Sequence, residues 1–280
     1  MKRLEHLSIL KISGDDAKEF LQGQMTQSTD ELNDDQIHLT SFCNPQGRVI
    51  ATALIQFWNE AYYLILGSDL LDDLTICLSR YILRSKVILT KNEINIFGVF
   101  KKDISKIDSR FNSDSLKSLS NDPERFILLS NKYQGEDTID MNNWILEDIK
   151  SGIPLINKIN SLEYIPQMLN LDHLEGISFT KGCYTGQEVV ARVQHRGKIK
   201  QRMYQVEIEE FPEIYSNQGM IPDDFISPQV EVRNIDKKVG SVVISSLKDS
   251  FGYGLAVINI SDADKDLSIN GYKVNLNELV

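Results

Sequence analysis

Residues 181–188, Lys-Gly-Cys-Tyr-Thr-Gly-Gln-Glu, bring an amine, a thiol, a phenol, an amide and a carboxylate into one short run with two glycines. Thr185 and Glu188 have the spacing of a capping box, so a helix is predicted to begin at Gly186. Cys183 then lies in a turn just before that helix, where the flanking glycines leave it open to solvent or to a ligand. A thiol in such a turn can act as a nucleophile or bind a soft metal.

Two electrostatic effects favour the thiolate form of Cys183. The positive end of the predicted helix dipole lies next to it, and Lys181 and Arg192 supply nearby positive charge. Cys43 and Cys77 stand in apolar surroundings, where a cysteine behaves as a small buried hydrophobic residue. Cys183 is therefore the candidate functional thiol, although an ordinary glycine-rich turn that contains a cysteine has the same local pattern.

The order of residues in this run resembles the signature of the YgfZ family of folate-binding proteins. That family is related to the aminomethyltransferase (T-protein) of the glycine cleavage system and to a mitochondrial iron–sulfur assembly factor. Matching segments also lie elsewhere in the chain, at residues 12–14, 20–26, 152–154, 165–167, 170–172 and 176–179. The resemblance covers most of residues 4–200 and is weaker after that.

The resemblance implies an α+β, aminomethyltransferase-like folate-binding fold with a ferredoxin-like α+β subdomain and a small C-terminal β-barrel. It implies that the protein binds tetrahydrofolate or a related reduced folate. The implied function is that of an accessory protein for the assembly or maintenance of iron–sulfur enzymes. Those partners include enzymes that modify tRNA by methylthiolation, and direct contact with tRNA is left open.

The same resemblance indicates which side chains would hold the folate. Trp144 corresponds to a tryptophan associated with folate binding in the family, and an indole can stack on a flat pterin ring. A buried core tryptophan is the alternative. Lys181 and Arg192 are placed to meet the glutamate tail of a folate. The remaining candidates offer hydrogen bonds to the ligand: Tyr184, Gln187 and Glu188.

The chain departs from the family pattern at four positions. Ala51 and Thr52 stand where the T-protein relatives carry two aspartates, and neither can handle the proton of an attacking folate amine. Lys150 replaces a glutamate expected in the folate pocket, and Leu7 replaces a second tryptophan. Classical enzymatic turnover by aminomethyl transfer is therefore not expected, and the pterin is expected to be recognised differently.

Two alternative functions stay open. One is folate-dependent transfer of a one-carbon (aminomethyl) group, against which the residues at positions 51 and 52 count. The other is an RNA-binding module, because residues 181–202 carry six basic side chains and one acid. This segment has a net charge of +5 in a chain of −10, so the remainder carries −15. An acidic remainder disfavours bulk nucleic-acid binding, and an anionic ligand suits the basic segment best.

Alternating and β-branched runs predict a largely β chain that positions these residues. Strands are expected in the first part at residues 7–12, 37–42, 49–58, 61–66, 87–89, 96–100 and 126–129. Helices are expected at residues 13–21, 69–82 and 141–150. Later strands, expected at residues 203–208, 230–233, 239–244, 253–258 and 267–274, suggest a small closed barrel.

These elements predict two regions: a folate-binding α+β region at residues 1–198, with a ferredoxin-like unit at about 48–130, and a barrel domain at residues 199–280. Three widely spaced cysteines among 280 residues argue against a disulfide framework and a structural zinc site. No apolar run approaches the roughly 20 residues of a membrane helix, and no secretory signal pattern is present. A cytoplasmic protein without a membrane contact or a metal site is expected.

Overall fold

The computed structural model describes residues 2–32, 35–106, 116–131, 141–208, 227–248 and 251–279. Its α-helices are α1 (Ala17–Gln22), α2 (Leu71–Ile82), α3 (Met141–Lys150) and α4 (Gln187–Arg196). Its strands are β1 (Lys2–Arg3), β2 (Leu7–Ser13), β3 (Gln36–Cys43), β4 (Val49–Trp58), β5 (Ala61–Gly67), β6 (Ile88–Asn92), β7 (Ile96–Phe100), β8 (Leu116–Leu119), β9 (Asp122–Leu129), β10 (Gln201–Ile208), β11 (Glu231–Asn234), β12 (Lys237–Lys248), β13 (Phe251–Asn259), β14 (Leu267–Ile269) and β15 (Tyr272–Glu278). The expected α+β class is confirmed.

The strands form one mixed sheet and one barrel. The sheet has the order β1-β7-β9-β8-β3-β4-β5-β2-β6, in which β3 and β8 run parallel. The barrel has the order β10-β13-β12-β11-β14-β15 and closes through pairing of β10 with β15. The small C-terminal barrel predicted from the sequence is therefore confirmed.

The hairpin of β4 and β5 follows from its turn residues. Asn59 and Glu60 have φ angles of 48° and 57°, which place both turn residues in the left-handed region. A two-residue turn of this hand matches the twist of the strands on either side. Nearly every residue of β4 from Val49 to Gln56 is buried, because this central strand is covered on both of its faces.

Helix α2 shows the apolar stripe that its sequence predicts. Leu74 and Leu78 are buried one turn apart, while Asp72 and Asp73 lie in the first turn. Acidic side chains there interact favourably with the positive end of the helix dipole, and the apolar stripe packs against the sheet.

Two parts of the sequence-based description are wrong or incomplete. The single strand expected at residues 267–274 is a hairpin of β14 and β15, because Asn270 and Gly271 turn the chain with φ angles of 49° and 86°. Strand β8 lies in a polar stretch that received no assignment, and its pairing with β9 and β3 forms it. Both differences arise where a turn or a distant partner outweighs local composition.

The barrel and the sheet share a hydrophobic core. Alternate residues of β13 point in opposite directions: Leu255 and Val257 belong to the cluster that fills the sheet region, whereas Ala256 and Ile258 belong to the barrel interior. This is the two-residue period of a strand that is buried on both faces. The proposed division of the chain at residue 198 stays a prediction.

Within the ranges that the structure describes, no helix combines the length and the apolar character needed to cross a membrane.

Candidate functional site

The run that contains Cys183 is tied to an N-terminal segment about 150 residues away in sequence. The amide of Thr185 donates to the carbonyl of Gly23 over 3.1 Å, and its hydroxyl donates to Oε1 of Gln24 over 3.2 Å. Lys181 Nζ donates to the carbonyls of Met25 and Gln27, each over 2.8 Å. Two of the segments that carry the family resemblance, residues 20–26 and 181–188, therefore form one cluster.

A buried polar network supports this cluster. The hydroxyl of Thr26, which is fully buried, donates to the carbonyl of Gly176 over 2.6 Å. The amide of Ser178 donates to the carbonyl of Thr26 over 3.0 Å, and its hydroxyl donates to Glu31 over 2.6 Å. Buried groups that are satisfied in this way fix the conformation of a loop. Residues 176–181 are thus held in place before the chain reaches Cys183.

Lys181 is more deeply placed than a surface cation. Its ammonium lies 5.0 Å from the centre of the Tyr184 ring, in addition to its two bonds to backbone carbonyls. Burial lowers the pKa of Lys181 to about 8, because an amine out of water favours its neutral form. Tyr184 is 8% exposed, and burial raises the pKa of its phenol well above the usual range. The two side chains hold the run against the body of the protein.

Helix α4 begins at the predicted position, but its N-terminus is not capped in the predicted way. Its first cap is Gly186, with φ of 87°, and no side chain caps the helix. The expected capping box is wrong, because Thr185 bonds to Gln24 instead. A Cβ at position 186 would lie 2.7 Å from the carbonyl oxygen of Asn44 and 2.9 Å from the Cβ of Cys43. Glycine is required both by the left-handed backbone and by this close approach.

The three cysteines differ in access to solvent. Cys183 is exposed, and its neighbour Gly182 has no atom near the place where a Cβ would stand. Cys43 is buried, and burial raises the pKa of its thiol to about 12. Cys77 is half-buried, and burial raises the pKa of its thiol as well. Among the described residues, no group of three or more His, Cys, Asp or Glu side chains is arranged to hold a metal ion.

The other hydrogen-bonding candidates lie on α4. Gln187 is half-buried, while Glu188 and Arg192 are exposed on the same helix, one turn apart. Gln187 and Glu188 therefore lie in the first turn of the helix that follows Cys183, and Arg192 lies one turn further along. The half-buried Lys181 and the buried Tyr184 lie beneath this surface.

Trp144 is held by a different part of the sheet. Its side chain is 1% exposed and lies against Gly98 of β7, where a Cβ would stand 2.5 Å from a ring carbon. The guanidinium of Arg125 lies 4.8 Å from the indole centre, and the Phe100 ring lies 5.8 Å away. A flat ligand can reach this ring only if the side chains that cover it move aside.

Sequence inspection missed an ionic cluster beneath Trp144. Arg125 is 1% exposed, and it bonds to Asp122 and to Asp148 over 2.6 Å each. The hydroxyl of Ser151 also donates to Asp122 over 2.8 Å. The available signal was the position of Arg125 in β9, two residues before buried Ile127 on the same strand face.

The positions that depart from the family pattern are occupied by structural groups. Ala51 is fully buried, and the hydroxyl of Thr52 accepts a hydrogen bond of 3.0 Å from the amide of Ile156. Leu7 is 6% exposed within the core. Lys150 bonds to Glu147 over 2.7 Å at the end of α3. No carboxylate therefore stands at positions 51 and 52, and the Thr52 hydroxyl anchors the chain after α3.

Comparison with known proteins gives relatives over most of the chain. No protein-family model matches it. An uncharacterised protein of Haemophilus influenzae is 35% identical over 208 residues, which cover 72% of this chain and 71% of that protein. The tRNA-modifying protein YgfZ of Hamiltonella defensa is 32% identical over 227 residues, covering 72% and 68% of the two chains. The tRNA-modifying protein YgfZ of Yersinia pseudotuberculosis is 31% identical over 226 residues, with the same coverage.

The fold has a counterpart among solved structures. The glycine cleavage system aminomethyltransferase T from Bartonella henselae matches with a TM-score of 0.62, over 99% of this chain and 84% of that one. The two sequences are 9% identical, so this likeness concerns the fold. The expected aminomethyltransferase-like architecture is confirmed.

Proposed function

This chain belongs to the YgfZ family, and from that premise we propose that it binds a reduced folate and acts in the modification of tRNA. The finer part of the proposal is that it sustains iron–sulfur enzymes, including those that methylthiolate tRNA. Support comes from the naming of two relatives as tRNA-modifying proteins and from the aminomethyltransferase-type fold.

One observation carries the proposal. Segments 20–26 and 181–188 form a single bonded cluster, and the exposed thiol of Cys183 lies at its surface. A cluster fixed by buried hydrogen bonds presents its surface groups in one geometry, which is what recognition of a small ligand requires. Cys183 is in our proposal the functional thiol of this surface.

The residues at the surface fit the acidic end of a folate. Arg192 is exposed, and within the described ranges its side chain has no bonded partner, so its guanidinium is available for a carboxylate. Lys181 adds positive charge beneath the surface, and Gln187 and Glu188 add hydrogen-bonding groups at the start of α4.

A buried acceptor lies beside the same helix. The Nε2 atom of Gln167 donates to the carbonyl of Val190 over 2.7 Å, while its Oε1 atom is buried without a partner. A buried acceptor of this kind is costly unless a donor reaches it, and the N–H groups of a pterin are donors. We propose that the buried Gln167 and Tyr184 and the half-buried Lys181 line the ligand side of the cluster.

Trp144 enters the proposal as a stacking wall for the flat ring. Because its indole is 1% exposed, this role requires that the side chains packed over the ring move when the ligand enters. A reduced folate, when bound, supplies a carrier for one-carbon units. The chain's own residues bind and orient it, and Cys183 offers a thiol at the same surface.

A transferase function is the second candidate and has the weaker support. Position 52 carries a hydroxyl committed to the amide of Ile156, and position 51 carries a methyl group. Neither group accepts a proton from a folate amine at neutral pH. We expect no folate-dependent transfer of an aminomethyl group from a lipoyl-bound carrier, and robust turnover in that assay would reverse the order of the two candidates.

Calorimetric titration with tetrahydrofolate under anaerobic conditions tests the proposal. We expect saturable binding to the purified protein and about tenfold weaker binding by Arg192→Gln, which removes one carboxylate contact worth about 1.4 kcal/mol. Arg84→Gln is the matched control, since Arg84 is exposed on the loop after α2. Absence of folate binding by the unaltered protein would contradict the proposal.

The tRNA part of the proposal needs a cellular measurement. Mass spectrometry of nucleosides from a deletion strain should show reduced 2-methylthio modification of tRNA, restored by the unaltered gene. Normal modification in the deletion strain would contradict the proposed role in tRNA modification. It would not bear on whether the protein binds folate.

A further inference from the structure

A row of basic side chains leads away from the candidate site along α4 and the segment that follows. Arg192, Arg196, Lys198 and Lys200 are all exposed. Over the parts of the chain that the structure describes, none of these four side chains forms a hydrogen bond or an ion pair. Four unpaired cations in sequence are unexpected in a chain of net charge −10. We refer to Arg192, Arg196, Lys198 and Lys200 as the basic row.

The cations on either side of the row have structural partners. Lys181 bonds to two backbone carbonyls. Arg202 forms a two-pronged ion pair with Asp172, with distances of 2.6 and 2.8 Å, and also donates to the carbonyl of Gln167. Lys181 and Arg202 therefore stabilise the fold, whereas the side chains of the basic row are available to bind a partner.

The row extends along the second half of α4 and the segment that follows it. Arg192 and Arg196 are one turn apart on α4, and the chain leaves the helix at Gly197 in an extended conformation, with φ of −99° and ψ of 163°. With a rise of 1.5 Å per helical residue and 3.3 Å per extended residue, the row can span up to about 20 Å. This length exceeds the reach of one dicarboxylate and matches several consecutive phosphates of a nucleic-acid strand.

The buried acid that lies near the end of the row is already paired with other cations. The amide of Ile260 donates to the carbonyl of Lys200 over 2.9 Å, which brings the turn that contains Asp262 next to the end of the row. Asp262 is buried and already bonded to Lys265, with Lys237 at 3.7 Å. Its carboxylate is therefore neutralised by other lysines.

The character of the row favours RNA over a protein partner. Residues 187–200 contain no large apolar side chain that is strongly exposed; Ile260, 42% exposed, lies beside the end of the row. Protein interfaces usually contain buried aromatic or apolar anchors, whereas a phosphate backbone can be held by charged and polar groups without such an anchor. The acidic remainder of the chain repels a polyanion, which restricts docking to this one face.

We propose that the basic row docks the phosphate backbone of tRNA and brings it beside the surface that exposes Cys183. The choice of tRNA among nucleic acids rests on the proposed function. The contacts are to phosphates, so binding is expected to depend little on base sequence and strongly on salt.

Fluorescence anisotropy with labelled tRNA at 50 and 200 mM salt tests this. If four phosphates are contacted, the fourfold rise in salt should weaken binding by about 50- to 150-fold. The triple variant Arg196→Gln/Lys198→Gln/Lys200→Gln leaves one contact, so the same rise should weaken its binding by only about threefold. Arg192 is left unchanged because it also belongs to the proposed folate surface.

A control variant removes the same charge elsewhere. Lys86, Lys91 and Lys158 pair with acids at the surface, over 3.0, 2.5 and 3.0 Å respectively. The variant Lys86→Gln/Lys91→Gln/Lys158→Gln should keep the salt dependence of the unaltered protein. If both triple variants lose the same affinity for tRNA, the loss follows from the net charge of the protein, and the proposed docking site is wrong.

Two further outcomes decide against the inference. Absence of tRNA binding by a protein that does bind tetrahydrofolate would overturn the inference and leave the folate proposal standing. The third outcome is a triple variant that binds tRNA normally. If this variant also binds a pentaglutamyl folate more weakly than the unaltered protein does, but binds the monoglutamyl form equally well, the row belongs to the ligand's tail. The two titrations on the same preparation thus separate failure of this inference from failure of the proposed function.

Discussion

Access to solvent separates Cys183 from the other two thiols of the chain. Its position follows from residues that can be recognised in the sequence: Gly182 leaves space beside it, and Gly186 lets α4 start against the body of the protein. The sequence-based expectation that Cys43 is buried also agrees with the structure, while Cys77 is only half-buried. Cys183 is therefore the most accessible of the three cysteines.

Limited alkylation near neutral pH should label Cys183 before the other two cysteines. Burial raises the pKa of the Cys43 thiol to about 12 and also raises that of Cys77, and a protonated thiol is a poor nucleophile. Peptide mass spectrometry over a time course gives the order directly. Equal labelling of Cys43 and Cys183 in the folded protein would contradict the exposure argument.

The variant Cys183→Ser asks what the exposed thiol does. A hydroxyl copies the size of the thiol but not its nucleophilicity or its affinity for soft metals. We expect unchanged thermal stability and folate affinity, together with reduced tRNA methylthiolation in a deletion strain that carries the variant. Full complementation would mean that residues 181–188 shape a ligand surface and that the thiol has no chemical part.

Trp144 is the residue for which two roles must be separated experimentally. Replacing its buried indole by a methyl group in Trp144→Ala should destabilise the protein by about 3–5 kcal/mol, because the ring packs on Gly98. Trp144→Phe keeps an aromatic ring in the core and is the variant in which binding can be measured. If the indole stacks on a folate, this variant should bind tetrahydrofolate more weakly by up to about 1–3 kcal/mol. Unchanged affinity would assign Trp144 to the core alone.

Residue roles that depend on distant partners could not be predicted. The bonds of Lys181 to Met25 and Gln27 are one example, because the acceptors are backbone carbonyls that carry no sequence signal. Contact between Lys181 and a folate tail stays a prediction. The burial of Arg125 likewise depends on Asp122 and Asp148, which come from β9 and α3. Burial of this kind depends on ion pairs with residues that are distant in sequence, and local sequence pattern does not predict such pairs.

At the scale of elements, the contact between α4 and the turn after β3 fixes the candidate site. Gly47 has φ of 71°, and a Cβ there would lie 2.8 Å from the Cβ of Val189 in α4. Gly186 makes the reciprocal approach to Asn44. Two glycines, one from each element, allow backbones to touch where any side chain would separate them.

The substitution Gly186→Ala should disrupt this contact. The new Cβ would stand 2.7 Å from the carbonyl oxygen of Asn44, and φ of 87° is unfavourable for alanine. We expect a loss of about 1–3 kcal/mol in the free energy of unfolding, measured by denaturant titration. Gly182→Ala is the matched control, since it meets no atom within 4 Å and should be nearly neutral. Equal stability of both variants would show that the turn and the helix do not need close contact.

Most elements were predictable where hydrophobic pattern and turn residues agree. Strands β2, β3, β4 and β5 and helix α2 lie close to the positions expected from sequence. The Asn270-Gly271 pair is a strong hairpin signal inside an apolar run, and it divides the single strand expected at residues 267–274 into β14 and β15. The capping box failed for another reason: Gln24, from a distant segment, competes for the hydroxyl of Thr185.

At the scale of the whole molecule, side chains of the segment between α3 and α4 tie the barrel to the sheet. Asn170 Nδ2 donates to the carbonyl of Met203 over 2.8 Å, and the hydroxyls of Tyr164 and Ser241 lie 3.0 Å apart. Asn160 Nδ2 donates to the carbonyl of Val243 over 2.8 Å. These bonds surround the shared core that Leu255 and Val257 enter from β13. The molecule is therefore expected to unfold as one cooperative unit.

The variant Asn160→Ala tests that expectation. Asn160 is fully buried, and its side chain links Val243 of β12 to the turn at Asn157, whose amide donates to Asn160 Oδ1 over 2.8 Å. Alanine would leave the buried carbonyl of Val243 without a partner, at about 1–3 kcal/mol, and would remove the acceptor of the half-buried Asn157 amide. If barrel and sheet unfold together, hydrogen exchange should accelerate by the same factor in slow amides of β4 and of β12. Asn234→Ala is the control, because its amide bonds to the carbonyl of Asp266 at the exposed end of the barrel and should change exchange only locally. Faster exchange confined to β12 in Asn160→Ala would mean that the barrel opens by itself, and the division of the chain near residue 198 would then describe two units with separate stability.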